Sequence, residues 1–176
     1  MKLLVVLSLI ILFTVTSCVP VSDSLNELSL ALASFTENYV SVSIQLEGND
    51  KGEYFLSATF MPPEGYHLYS KDIPITGVDG LGRPTLLELT QSSQLKAIDG
   101  LFESVKAEKP EFEPKNLLVY PAGAVTLSLP VELPSGSAWV EETVKVAFMA
   151  CNDNECKPPV MRKIVSIRIP GIDAFK

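Results

Sequence analysis

Basic charge, long apolar runs, helical periodicity and metal-binding side chains are all scarce in this chain. Lysine and arginine total 14 against 21 aspartates and glutamates, a net charge of −7. No basic stripe is left to neutralise phosphates, which excludes a nucleic-acid partner. The longest apolar run, residues 3–15, falls short of the roughly 20 residues that a membrane-spanning helix needs. From Tyr39 onward no helical period of any length is found, which excludes a helical bundle. Tryptophan occurs once, at Trp139, before both Cys151 and Cys156, so the antibody pattern of a tryptophan between two distant cysteines is missing.

What is present begins with a processing signal. Lys2 supplies a positive start, the apolar run follows, and Val15, Thr16, Ser17 and Cys18 resemble the bacterial lipobox, where the signal is cut before a cysteine that is then lipidated. The expected organisation is a lipoprotein signal peptide over residues 1–17, lipidated Cys18 and a linker over 18–38, and one domain over 39–172. A short helix after Ser22, Asp23 and Ser24 is an alternative for part of the linker. Export places the domain at a periplasm-facing or cell-surface membrane, held by lipid only, in an oxidising compartment. Cys18 is then consumed as an anchor, and the odd count of three cysteines leaves one pair. With His67 the only histidine, that pair cannot complete a four-ligand zinc set, and no cofactor is expected.

The domain reads as about nine short strands. Val40, Val42, Ile44 and Leu46 alternate with polar residues, a turn follows over 48–52, and residues 54–60 return as the second arm of a hairpin. Further strands are expected over 66–70, 85–90, 101–107, 117–120, 125–133, 143–150 and 160–169. This density of strands and turn residues indicates an all-β, immunoglobulin-like antiparallel β-sandwich, with a small barrel as the alternative.

Cys151 and Cys156 stand at the two ends of a polar loop, Asn152, Asp153, Asn154 and Glu155, between two strand-like runs. A hairpin there would bring them within disulfide reach. A ring this small removes little chain entropy, about 2 kcal/mol in the loop model, so a chain of 176 residues does not need it for folding. Asp153 and Glu155 should raise the thiol pKa values by repulsion, opposed by Lys157. Strand alternation puts His67 and Tyr69 on one face and Tyr66 and Leu68 on the other; with Leu68 inward, the first two face outward, where they could flank the cysteines.

Phe148, Met149, Ala150 and Cys151, then a polar loop, Cys156, Pro158 and Pro159, resemble the N-terminal periplasmic domain of the thiol:disulfide interchange protein DsbD family. The likeness extends to Gly65, Tyr66, His67, Leu68 and Tyr69, and to Glu111 and Phe112 followed by Lys115 and Tyr120. It implies an immunoglobulin-like sandwich in which Cys156 forms a mixed disulfide and Cys151 resolves it. It also implies a cap loop whose aromatic, Phe112 by position, covers the disulfide and moves aside for a partner, with Glu111 as the remaining acid. His67 stands where the family has tyrosine, and Pro110 where it commonly has an acidic residue. The family's membrane channel and thioredoxin-like domain do not occur in this chain, so its partners would be thioredoxin-like periplasmic proteins and a membrane reductase. The competing expectation is a non-catalytic binding or surface lipoprotein with a structural disulfide.

Overall fold

A computed structural model describes residues 28–175. The expected signal peptide and Cys18 lie outside the described residues. The strands are β1 (Leu28–Glu37), β2 (Val40–Gly48), β3 (Tyr54–Met61), β4 (His67–Leu68), β5 (Leu86–Leu89), β6 (Lys96–Ala97), β7 (Phe102–Glu103), β8 (Val125–Glu132), β9 (Trp139–Phe148), β10 (Ala150–Cys151) and β11 (Val160–Pro170). One sheet runs β1-β2-β3-β8, with β6 and β7 both on β8; the other runs β11-β9-β5; β4 and β10 form a separate pair. All pairings between these strands are antiparallel.

The two sheets pack as a sandwich because each presents an apolar row at strand period. Val40, Val42, Ile44 and Leu46 from β2 and Val125, Leu127, Leu129 and Val131 from β8 are buried, and so are Val144, Val146 and Phe148 from β9 and Val165, Ile167 and Ile169 from β11. Each fully buried side chain of this size contributes about 1.5–3 kcal/mol. Phe60 of the first sheet meets Phe148 of the second edge to face, with centroids 5.7 Å apart. The outward rows are polar and pair across strands, as in the Ser57–Ser128 and Thr59–Thr126 hydroxyl bonds at 2.9 and 2.8 Å.

Five expectations are corrected. Residues 28–37, read as the end of a linker, form β1, paired along its length with β2. Asn38 and Tyr39 make the two-residue turn between them at φ 48° and 67°, the left-handed conformations of a type I′ hairpin. The folded unit also continues past residue 172: Ile172–Phe175 is a 3₁₀ turn, and the Phe175 ring packs on Tyr54 at 5.4 Å. The strand expected over 101–107 shrinks to β7, and residues 117–120 pair only through isolated bridges, because short side ribbons replace long strands at this end of the sandwich. The strand expected over 143–150 ends at Phe148; after Met149 the chain leaves the second sheet to pair with β4 as β10.

Candidate functional site

The cysteine loop is closed by its own first residue. Asn152 accepts hydrogen bonds on Oδ1 from the amides of Asn154 and Glu155, both at 2.9 Å, and its amide donates to the Glu155 carbonyl at 2.9 Å. This Asx-type turn sends the chain back antiparallel, so that the Lys157 amide reaches the Ala150 carbonyl at 2.8 Å. Cys151 and Cys156 are thereby bridge partners with Cα atoms 4.0 Å apart, and their sulfurs are bonded. The pair is asymmetric. Cys151 is 2% exposed, whereas Cys156 is exposed to solvent.

Lateral pairing sets what surrounds the sulfurs. Cys151 is in register with His67 across β10 and β4. On the other side of that strand Tyr69 pairs with Val119, and Val119 exchanges both backbone hydrogen bonds with Glu108 at 2.7 and 3.0 Å. The cap segment is therefore the loop of a hairpin closed at Glu108 and Val119, lying one ribbon away from the cysteines. Lys115 holds the loop from inside, its Nζ donating to the carbonyls of Glu111 at 2.6 Å and Pro110 at 3.2 Å. Phe112, 41% exposed, reaches back over β4 and stacks on His67 with centroids 5.9 Å apart and planes at 29°. Phe112 and Cys156 line one cleft, with Tyr69, Leu81, Leu117 and Met149.

Of the residues singled out in the sequence, His67, Phe112, Cys151 and Cys156 lie together. Tyr69 does not face solvent. It is 4% exposed, in a second small core with Ile73, Val78, Leu117 and Cys151. The face opposite the main core is covered by the segment after β4, where Gly82, at φ +70°, lies so close that a Cβ would come within 2.9 Å of the Tyr69 ring. Glu111 is exposed, and its carboxylate makes no hydrogen bond or ion pair among the described residues.

Electrostatics at the loop also differ from the simple charge count. The Glu155 carboxylate is hydrogen-bonded by Lys157 and by the Tyr66 hydroxyl, and both bonds hold its pKa below the ordinary carboxylate value. The bond to Glu155, and then the neighbouring Tyr66 hydroxyl, raise Lys157. Glu155 is thus neutralised locally, and Asp153 is the loop carboxylate that acts on its surroundings, through its attraction for a proton on His67. Burial outweighs that attraction and lowers the His67 pKa from 6.5. Burial likewise keeps the Tyr69 phenol protonated above its ordinary range.

Sequence reasoning missed a buttress behind the loop. Asn38 donates from Nδ2 to the Pro158 carbonyl at 2.8 Å, and the Lys157 ammonium lies 4.8 Å from the centre of the Tyr39 ring and 5.2 Å from that of Tyr66. The signal for it was the alternation of Leu28, Leu30 and Leu32 ahead of an Asn-led turn.

The fold and site together define an all-β sandwich of antiparallel sheets carrying a disulfide on a side ribbon, one sulfur-bearing residue buried and the other open in the same cleft as Phe112. Compared with family models, curated proteins and solved structures, the chain matches none of them. Among the described residues, no group of three His, Cys, Asp or Glu is placed to hold a metal, and no helix is long and apolar enough to cross a membrane.

Proposed function

We propose that this chain is a lipid-anchored, extracytoplasmic thiol–disulfide exchange module, an immunoglobulin-like domain of the DsbD N-terminal type. It passes reducing equivalents through the Cys151–Cys156 pair and acts as the protein-disulfide reductase component of a chain of carriers. The observation that carries this reading is the asymmetry of the pair: an open Cys156 in the same cleft as Phe112, bonded to a buried Cys151. A structural staple needs no route to its sulfurs; a relay needs a route to one.

In the reducing direction, a partner thiolate attacks Cys156 Sγ. A partner–Cys156 bond forms, the Cys151–Cys156 bond breaks, and the electron pair leaves on Cys151. The partner's second thiolate then attacks its own sulfur in the mixed disulfide and releases Cys156. The partner ends oxidised, the pair reduced, and two electrons have moved. Reduced Cys156 reverses these steps on an oxidised thioredoxin-like protein, and a membrane reductase is the proposed source of electrons. The site lies beside the Asn38 turn, one strand length from Leu28, which for the 10 residues of β1 is about 30 Å.

Equilibrating the pair against glutathione and dithiothreitol series tests the proposal. A potential of about −200 to −250 mV is expected for an exchange protein; a pair that stays oxidised to below about −300 mV is a structural disulfide, and the relay reading falls.

A further inference from the structure

The one histidine of this chain is placed where an exchange reaction needs a proton store. His67 is the cross-strand partner of Cys151, and directly opposed side chains in an antiparallel pair have Cβ atoms about 4.5–5.5 Å apart on the same face. Two aromatic rings fix its plane: Phe112 stacked at 5.9 Å, and Tyr69 edge-on at 5.3 Å with planes at 84°. Its Nε2 is sealed from solvent and has no hydrogen-bond partner among the described residues. Leaving such a nitrogen buried and unpaired is unfavourable, so it calls for an explanation.

Cys151 has the complementary need. It is 2% exposed, so a thiolate released there has almost no water to solvate it, and burial without a counter-charge makes a thiolate a poor leaving group. The disulfide hides both needs, because a bonded sulfur carries neither charge nor proton. Opening it creates a charge on Cys151, whose cross-strand neighbour carries a nitrogen that lacks a partner.

We propose that His67 is the proton-holding partner of Cys151: it is neutral while the disulfide is closed and takes up a proton as the disulfide opens, keeping Cys151 as the thiolate of an imidazolium–thiolate pair. This rests on the exchange reading. A partner dithiol enters with two protons. Its sulfurs leave bonded to each other, its electrons reside on Cys151 and Cys156, one proton resides on Cys156 and the other on His67. The reverse transfer returns the His67 proton with the electrons. His67 acts on the reaction through Cys151 and is a positioning residue in that sense.

The charged and titratable groups around the ring agree with this assignment. Asp153, from the cysteine loop, favours a proton on His67. Tyr69, from its own strand, stays a neutral phenol. Glu155 is turned to Lys157 and Tyr66. On the cap loop, Glu111, Glu113 and Lys115 are exposed, while the Phe112 face against the imidazole is uncharged.

Because the chain has a single histidine, its ring resonances can be titrated by NMR without ambiguity in the oxidised protein and after phosphine reduction. The expected result is a value below 6.5 for the oxidised form and one above 6.5 for the reduced form. The rise should be about one unit or more, tenfold in proton affinity. Cys151→Ser removes the thiolate and also the disulfide, so any loosening of the cap is retained; His67 should then titrate at or below its ordinary value. Equal titration in both redox states overturns the proposal, as does a Cys151→Ser value matching the reduced wild type. Phosphine reduces even a structural disulfide, so this outcome is separate from the potential that decides the exchange reading.

Discussion

Asn38 and Pro158, 120 residues apart, are joined by a 2.8 Å hydrogen bond from the Asn38 side-chain amide to the Pro158 carbonyl. The bond ties the first hairpin turn of the sandwich to the segment between Cys156 and β11, and the ring of Tyr39, the other turn residue, lies under the Lys157 ammonium. The cysteine loop is therefore braced from behind by the β1–β2 turn, while Phe112 shares the cleft at its front.

Tyr39 stands at φ 67° and is 71% exposed, a conformation and an exposure that glycine would tolerate better. Tyr39→Gly should raise fold stability by about 1 kcal/mol, since Asn-Gly is the preferred type I′ turn. The same change should loosen the cysteine loop. Denaturant midpoints and hydrogen exchange at Glu155 and Lys157 check the two halves, and slower exchange at the loop would contradict the buttress.

Phe112→Ala removes the ring stacked on His67. An aromatic stack of this kind is worth about 0.5–1.5 kcal/mol, so reduction of the pair by dithiothreitol should accelerate up to about tenfold. A stopped-flow rate equal to wild type would leave Phe112 as packing alone.

Single-cysteine variants should be unequal. Cys151→Ser leaves the exposed Cys156, which should be alkylated rapidly and should trap a partner; Cys156→Ser leaves a thiol that is 2% exposed in the closed structure. If reaching Cys151 needs a local opening of about 1.4 kcal/mol, the alkylation rates differ on the order of tenfold. Faster labelling of Cys156→Ser would reverse the assignment of the attacking residue.

The lowered His67 pKa sets a pH dependence of the oxidised protein. Between the folded value and 6.5 the unfolded chain binds more protons than the folded one, so stability rises with pH across that window and falls as pH drops below 6.5. Urea midpoints from pH 7 to pH 5 should decline in the wild type and decline less in His67→Phe, which keeps a stacking ring without a titrating nitrogen. Above pH 5 the Glu155 pair stays ionised, because its carboxyl pKa is held below 4.5. An identical decline in both proteins would remove His67 as the source.

Cys18→Ala should release the protein from the membrane fraction into the soluble fraction, since a lipid on that residue is the proposed anchor. Fractionation followed by immunoblotting checks it, and membrane retention of the variant would end the lipoprotein reading.

Much of the sandwich was legible in the chain because strand period is a local signal. Val40, Val42, Ile44 and Leu46, or Val125 to Val131, announce an inward row whatever lies opposite them. β1 was missed because its alternation is diluted by Ala31 and Ala33 at a register shift, and because its turn is Asn-Tyr rather than Asn-Gly. The closeness of Cys151 and Cys156 was legible for the same local reason, a polar turn between two strand-like runs.

By itself the sequence determined the strand period, the acidic balance, the spacing of Cys151 and Cys156 and the alternation that sets His67 apart from Leu68, because each is a property of residues near one another along the chain. Only tertiary structure decided that Cys151 is buried while Cys156 is open, that Tyr69 is covered, that Glu155 is occupied by Lys157 and Tyr66, and that Asn38 braces Pro158. Burial and pairing depend on which distant segment arrives at a given face, and no local pattern encodes that.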